Sequence, residues 1–127
     1  MADELFAQTV AETLALIEDR LMEATVSQYS FVTEAAQHIV SAGGKRFRPA
    51  LVVTAAHLGS DFDLDEVIGA ALVMELTHVA SLYHDDVMDE ADLRRGVSSA
   101  NNRYGNSTAI LVGDYLFARA SREVARL

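Results

Sequence analysis

Between Leu64 and about Asp92 the chain gives a helix no place to stop. Asp63 followed by Glu66 three residues later fits an N-terminal cap, and Gly69 is the only breaker inside, a cost helices tolerate. At about 1.5 Å per residue the segment predicts a helix of roughly 40 Å. From Val67 to Leu82 it is apolar on nearly every side, so it belongs at the centre of other helices. Its far end changes character abruptly. The run LYHDDVMDEADLRRG, Leu82 to Gly96, brings Asp85, Asp86 and Asp89 and then the adjacent pair Arg94 and Arg95.

The rest of the chain supplies the surrounding helices. Phe6, Val10, Leu14, Ile17 and Leu21 recur at helical spacing and predict an amphipathic helix from Ala2 to about Ala24. Phe31, Ala35 and Ile39 repeat the period until Gly43 and Gly44 end a second helix. Pro49, the only proline, suits the first turn of a short third helix that runs through Leu51, Val52 and Ala55 to Gly59. Leu93 to Ser107 reads as a loop punctuated by Gly96 and Gly105, with a helical turn near Ala100 to Tyr104. Ser107 is placed to cap a last helix, Thr108 to Leu127, which reaches the final residue still amphipathic and without a stop signal. No stretch alternates like a strand. The expected class is all-α, residues 1–127 forming the N-terminal part of one helical domain that continues further.

With half its 127 residues hydrophobic, the chain has enough apolar material for a core. The longest strongly apolar run, Val67 to Met74, falls far short of the ~20 residues of a membrane span, and acids stand where a signal peptide needs cations. No cysteine is present, which removes thiol chemistry and suits the cytoplasm. A net charge of -9 argues against a nucleic-acid partner. The cations are nevertheless grouped, Lys45, Arg46 and Arg48 in one place and Arg94 and Arg95 in another, as if to hold a compact anion.

On a helix Asp85 and Asp89 point the same way, with Asp86 about 100° round. Seven residues before Asp85 the same face carries His78, and three further Glu75. Two carboxylates one turn apart suit Mg2+, which takes oxygen ligands and completes its shell with water and phosphate. A solvated acidic helix end is the plainer reading, but acids at a C-terminus oppose the helix dipole, a local cost that function would explain. The second constellation is GGKRFRP, Gly43 to Pro49. Two glycines allow close backbone approach, Lys45 and Arg48 are three apart, and the Pro49 helix start adds free N–H groups, which together make a diphosphate cradle. A glycine stop followed by solvated cations is the alternative. His78 is a core histidine or a ligand, and Arg94 and Arg95 either balance Asp89, Glu90 and Asp92 or bind phosphate oxygens.

Taken together and in this order, GGKRFRP, ELTHVASLYHDDVMDEADLRRG (Glu75 to Gly96) and GDYLFA (Gly113 to Ala118) resemble the trans-isoprenyl diphosphate synthases. The resemblance implies an isoprenoid-synthase-like helical bundle, of which only the N-terminal half is present, active as a homodimer. It implies that Asp85 and Asp89 hold Mg2+ against an allylic diphosphate, supported by Asp86, and that Arg94 contacts that diphosphate. Lys45, Arg48, His78 and Arg95 would bind the second substrate, isopentenyl diphosphate. The positions that limit product length in the family are Ala80 and Ser81 here. Both are small, so a geranylgeranyl or longer product is expected. Ser98 stands where the family usually has proline after RRG. The family's second aspartate-rich motif is absent and Asp114 cannot replace it, so the 127 residues alone are not expected to turn over.

Three other classes compete. His84 and Asp85 with His57 and Asp114 resemble the metal set of HD-type phosphohydrolases, which would leave GGKRFRP and the paired arginines unexplained. A class I terpene cyclase shares the aspartate motif but needs no second diphosphate site. A non-catalytic helical synthase subunit would be expected to have lost the aspartates.

Overall fold

Asp63 begins the central helix as its sequence suggests: the carboxylate accepts from the backbone N–H of Asp65 and Glu66, at 2.8 and 3.3 Å. A computed structural model describes residues 1–127 and carries six helices: α1 (Ala2–Ala24), α2 (Ser30–Ser41), α3 (Phe47–Ala56), α4 (Leu64–Met88), α5 (Ala100–Tyr104) and α6 (Asn106–Val124). Helix α4 is the inner one, packed along α6 and also against α1, α3 and α5. By length and composition it could cross a membrane, but 56% of its most apolar window is buried among the other helices. The core joins Leu72, Leu76, Val79, Ala80 and Tyr83 of α4 to Ala109, Val112, Leu116 and Ala120 of α6, with Leu21 of α1 and Ile39 and Val40 of α2 closing the ends. Burial of each leucine or isoleucine contributes about 1.5–3 kcal/mol.

Small residues let α4 and α6 approach closely. At Gly113 an added Cβ would overlap Nε2 of His84 and lie 3.3 Å from the carbonyl oxygen of Ala80. The His84 ring lies across α6 in that space, its Nε2 3.0 Å from the Ile110 carbonyl oxygen and 3.2 Å from Oδ1 of Asp114. Tyr83 ties α4 to α2: its buried hydroxyl donates to the Ala35 carbonyl, with that of Ala36 at 3.0 Å, and burial pushes its pKa up.

Three local expectations are corrected. Helix α4 ends at Met88, short of Asp92, because Glu90 takes the left-handed conformation (φ 52°). The N–H of Ala91 then bonds the Asp86 carbonyl and that of Glu90 the Val87 carbonyl, a Schellman arrangement with glutamate where glycine is usual. The segment read as loop contains an antiparallel hairpin, β1 (Leu93–Arg94) and β2 (Val97–Ser98). Its two turn residues, Arg95 and Gly96, both have positive φ (53° and 79°), as a two-residue hairpin turn requires. Ser107 does not cap α6. Gly105, at φ 90°, is the joint from which α6 starts at Asn106. Pro49 does sit buried in the first turn of α3.

Candidate active site

The glycine pair after α2 brings the chain back under the middle of α4, and the hairpin turn reaches the same place from the other side. Between them lies a cleft of about 350 Å3 lined by Gly44, Lys45, Arg46, Phe47, Arg48, Glu75, His78, Leu82, Arg94 and Arg95. Three separated segments thus place Lys45, Arg48, His78 and Arg95 around one opening, with Arg94 at its edge. Lys45 and Arg48 are exposed and take part in none of the chain's ion pairs. Their charge is free for an anion.

The floor of the cleft is built differently. Arg46, in the left-handed conformation at φ 51° and only 10% exposed, donates from Nε and Nη2 to the two carboxylate oxygens of Glu18 on α1 (2.7 and 2.8 Å). Its Nη1 donates to the buried Glu75 on α4 (3.1 Å) and Nη2 also to the Val40 carbonyl (3.0 Å). The Arg46 guanidinium holds the Glu18 carboxyl below the usual carboxylate range, and Glu18 raises Arg46 in return. Beside it Arg95 donates to the Ile39 carbonyl at 3.0 Å and meets no carboxylate. Burial and then the neighbouring Arg46 lower its pKa. Burial first, then Arg48, likewise lowers that of His78, while Glu75 opposes. The walls are cationic and underused.

At the end of α4, Asp85 and Asp89 are exposed and one turn apart, as their spacing requires. Asp86 is buried, and Arg94 donates to it from Nε at 3.1 and 3.2 Å and from Nη2. Arg94 is raised chiefly by Asp86, with Asp85 and Asp89 adding to the same field. No three His, Asp or Glu side chains converge into a closed metal cage. Two exposed carboxylates are hard oxygen donors, and they fit a cation such as Mg2+ that completes its shell from water and substrate phosphate. Ala80 is fully buried on the α6 side of α4, whereas Ser81 is half-buried and donates to the His78 carbonyl at 2.6 Å.

His57 does not join His84 and Asp114. Its ring packs between Phe6 and Phe62, and Nδ1 lies 2.8 Å from the Val53 carbonyl oxygen, near the start of α4. His84 lies twenty residues along that helix from Leu64, about 30 Å away. Sequence reading missed the role of Arg46, which looked like one more solvated cation. The available signal was Glu75, an acid on an otherwise apolar helix face that required a buried partner.

A family model described as Polyprenyl synthetase matches residues 29–127. The chain is 48% identical over 128 residues to a nonaprenyl diphosphate synthase of Mycobacterium tuberculosis, covering 100% of this chain and 38% of that protein. Among solved structures it superposes on a heptaprenyl diphosphate synthase from Staphylococcus aureus with TM-score 0.89 and 34% identity, over 93% of this chain and 37% of that one. A polyprenyl synthase from Caulobacter crescentus, complexed with calcium and isoprenyl diphosphate, matches with TM-score 0.89 and 34% identity, over 94% and 36%. The chain therefore spans less than two fifths of the length of these relatives.

Proposed function

Because this chain belongs to the polyprenyl synthetase family, we propose that it carries a diphosphate-binding part of a prenyltransferase that joins isopentenyl diphosphate to an allylic diphosphate. The observation that supports this most is the convergence of Lys45, Arg48, His78 and Arg95 on one cleft from α4 and two unrelated loops. Lys45 and Arg48 in particular take part in no ion pair of the fold. A diphosphate would supply their counter-charge.

Lys45 and Arg48 meet the isopentenyl diphosphate from the α3 side and Arg95 from the hairpin, while His78 donates from the helix between them. Asp85 and Asp89 would hold Mg2+ at the adjoining helix end, and the ion would supply Lewis-acid stabilisation of the allylic substrate's departing diphosphate there. Arg94, fixed by Asp86, presents its remaining N–H groups to that same diphosphate. The C–O bond to diphosphate breaks, the isopentenyl double bond attacks the allylic carbon, and loss of a proton leaves a chain longer by one isoprene unit. The small Ala80 and Ser81 support a product of geranylgeranyl length or longer, in keeping with the nonaprenyl and heptaprenyl relatives. The 127 residues bind diphosphate but do not condense two substrates alone. The cysteine-free composition suits the cytoplasm, and the exposed Ile110 and Leu111 on α6 suit a homodimer.

Titration with isopentenyl diphosphate tests the reading. The chain should bind it, and Lys45→Met or Arg48→Met should weaken binding about tenfold or more, as loss of a charge-assisted contact does. Equal affinity across the three proteins would overturn it.

A further inference from the structure

Arg46 is the one cation of the GGKRFRP loop whose guanidinium is bound up in the floor of the cleft. Its side chain is 10% exposed, four of its five N–H donors are taken by Glu18, Glu75 and the Val40 carbonyl, and its backbone holds a left-handed conformation that a non-glycine residue adopts only under constraint. It stands between Lys45 and Arg48 in sequence. Those two side chains diverge from the buried one because the backbone turns at Arg46 before α3 begins. Gly44 completes the packing: a Cβ there would come within 2.8 Å of Nη1 of Arg46 and 3.0 Å of Cζ of Arg95.

We infer that Arg46 is a positioning residue, a clamp through which Glu18 on α1 and Glu75 on α4 set the aim of Lys45 and Arg48 into the cleft. The inference rests on the diphosphate reading of that cleft and assigns a new role within it to Glu18, more than twenty residues upstream of the glycine loop. Charge supports the division of labour. Glu18 and Glu75 neutralise Arg46 with one negative charge to spare, and Arg95 beside them balances it. Lys45 and Arg48 are left as the uncompensated cations.

The clamp and simple electrostatics predict opposite signs at Glu18. Removing an acid next to an anion site should tighten anion binding if only charge matters. If Glu18 aims the loop, Glu18→Gln should weaken it, because the neutral amide gives up the two-pronged acceptor. The experiment is calorimetric titration of the 127-residue chain with inorganic pyrophosphate. The panel is wild type, Glu18→Gln, Arg46→Lys, Arg46→Met and, as direct contacts, Lys45→Met and Arg48→Met, each shown folded by its helical circular dichroism. Expected are an affinity for Glu18→Gln about threefold to tenfold below wild type and a similar loss for Arg46→Lys, which keeps the charge but not the fork. Tighter binding by Glu18→Gln, or full affinity in Arg46→Lys, overturns the clamp while losses at Lys45 and Arg48 leave the diphosphate site standing. Indifference of Lys45→Met and Arg48→Met overturns the site itself. Amide hydrogen exchange of residues 43–50 without ligand then decides the clamp: faster exchange confined to that segment in Glu18→Gln upholds it, and unchanged exchange rejects it.

Discussion

Arg94 and Asp86 form an ion pair across the end of α4, Nε of the arginine lying 3.1 and 3.2 Å from the two carboxylate oxygens. The aspartate is 1% exposed and the arginine comes from the first strand of the hairpin. The pair therefore fixes the hairpin, and with it Arg95, to the helix that carries Asp85 and Asp89. Arg94→Ala would leave a buried carboxylate without its partner. We expect it to destabilise the chain by about 1–3 kcal/mol, and Asp86→Asn, Arg94→Ala together to cost less than the two single changes added. Urea unfolding of the four proteins checks this, and additive costs would refute it.

How much of this was legible in the sequence depends on which forces set each feature. The all-helical class, the inner position of α4 and the shared face of Asp85 and Asp89 follow from periodicity, which local sequence carries in full. The hairpin was not legible, because Arg-Gly is a weaker turn signal than Asn-Gly and its strands are two residues long. Left-handed residues gave no warning either. Arg46 adopts positive φ where Glu18 and Glu75 on distant helices hold its side chain, Arg95 where the hairpin turn requires it and Glu90 at the Schellman end of α4, each without the glycine that would have signalled it. Of the cleft, the sequence named Lys45, Arg48, His78, Arg94 and Arg95 but could not say that Arg46 points down and its neighbours outward. That distinction is made by Glu18, on a helix whose sequence carries no chemical motif.

Gly113 offers a test of the α4 and α6 contact. Alanine in a helix interior is favoured over glycine by about 1 kcal/mol, but here its Cβ would overlap Nε2 of His84 and press on the Ala80 carbonyl. The imidazole could swing away only by giving up the Ile110 carbonyl and Asp114. Overpacking costs of about 1–3 kcal/mol should win, so Gly113→Ala lowers the melting temperature. Adding His84→Ala should recover part of the loss. A variant as stable as wild type would show that the two helices separate more easily than their packing suggests.

His78 should give the two pH responses opposite signs. Burial and Arg48 hold its pKa below the ordinary 6.5, so below that pH the unfolded chain takes up a proton that the folded chain resists. Its share of stability is constant above about pH 6.5 and falls as the pH drops through it. A bound diphosphate reverses the local field and favours the protonated ring, so binding draws in a proton and affinity rises over the same interval. Between about pH 8 and 5.5 the ratio of pyrophosphate affinity, wild type over His78→Asn, should grow as pH falls. A pH-independent ratio would remove His78 from the anion site.

Ser81 and Ala80 occupy the two positions at which the family resemblance implies a limit on product length, and the structure separates their prospects. Ala80 has no exposed surface and faces the tight seam with α6, so a phenylalanine there would break the core before it could block a growing chain. Ser81 is half-buried one residue on, its hydroxyl bonded back to His78 within α4, and a larger side chain can leave that bond for open space. In a complete synthase carrying this segment, Ser81→Phe should shift the products toward shorter prenyl diphosphates while total isopentenyl incorporation per initiation falls. Ala80→Phe should instead give unstable or aggregated protein. Chromatography of the dephosphorylated products distinguishes the outcomes, and an unchanged chain-length distribution from a folded Ser81→Phe enzyme would move the limiting position elsewhere on the helix.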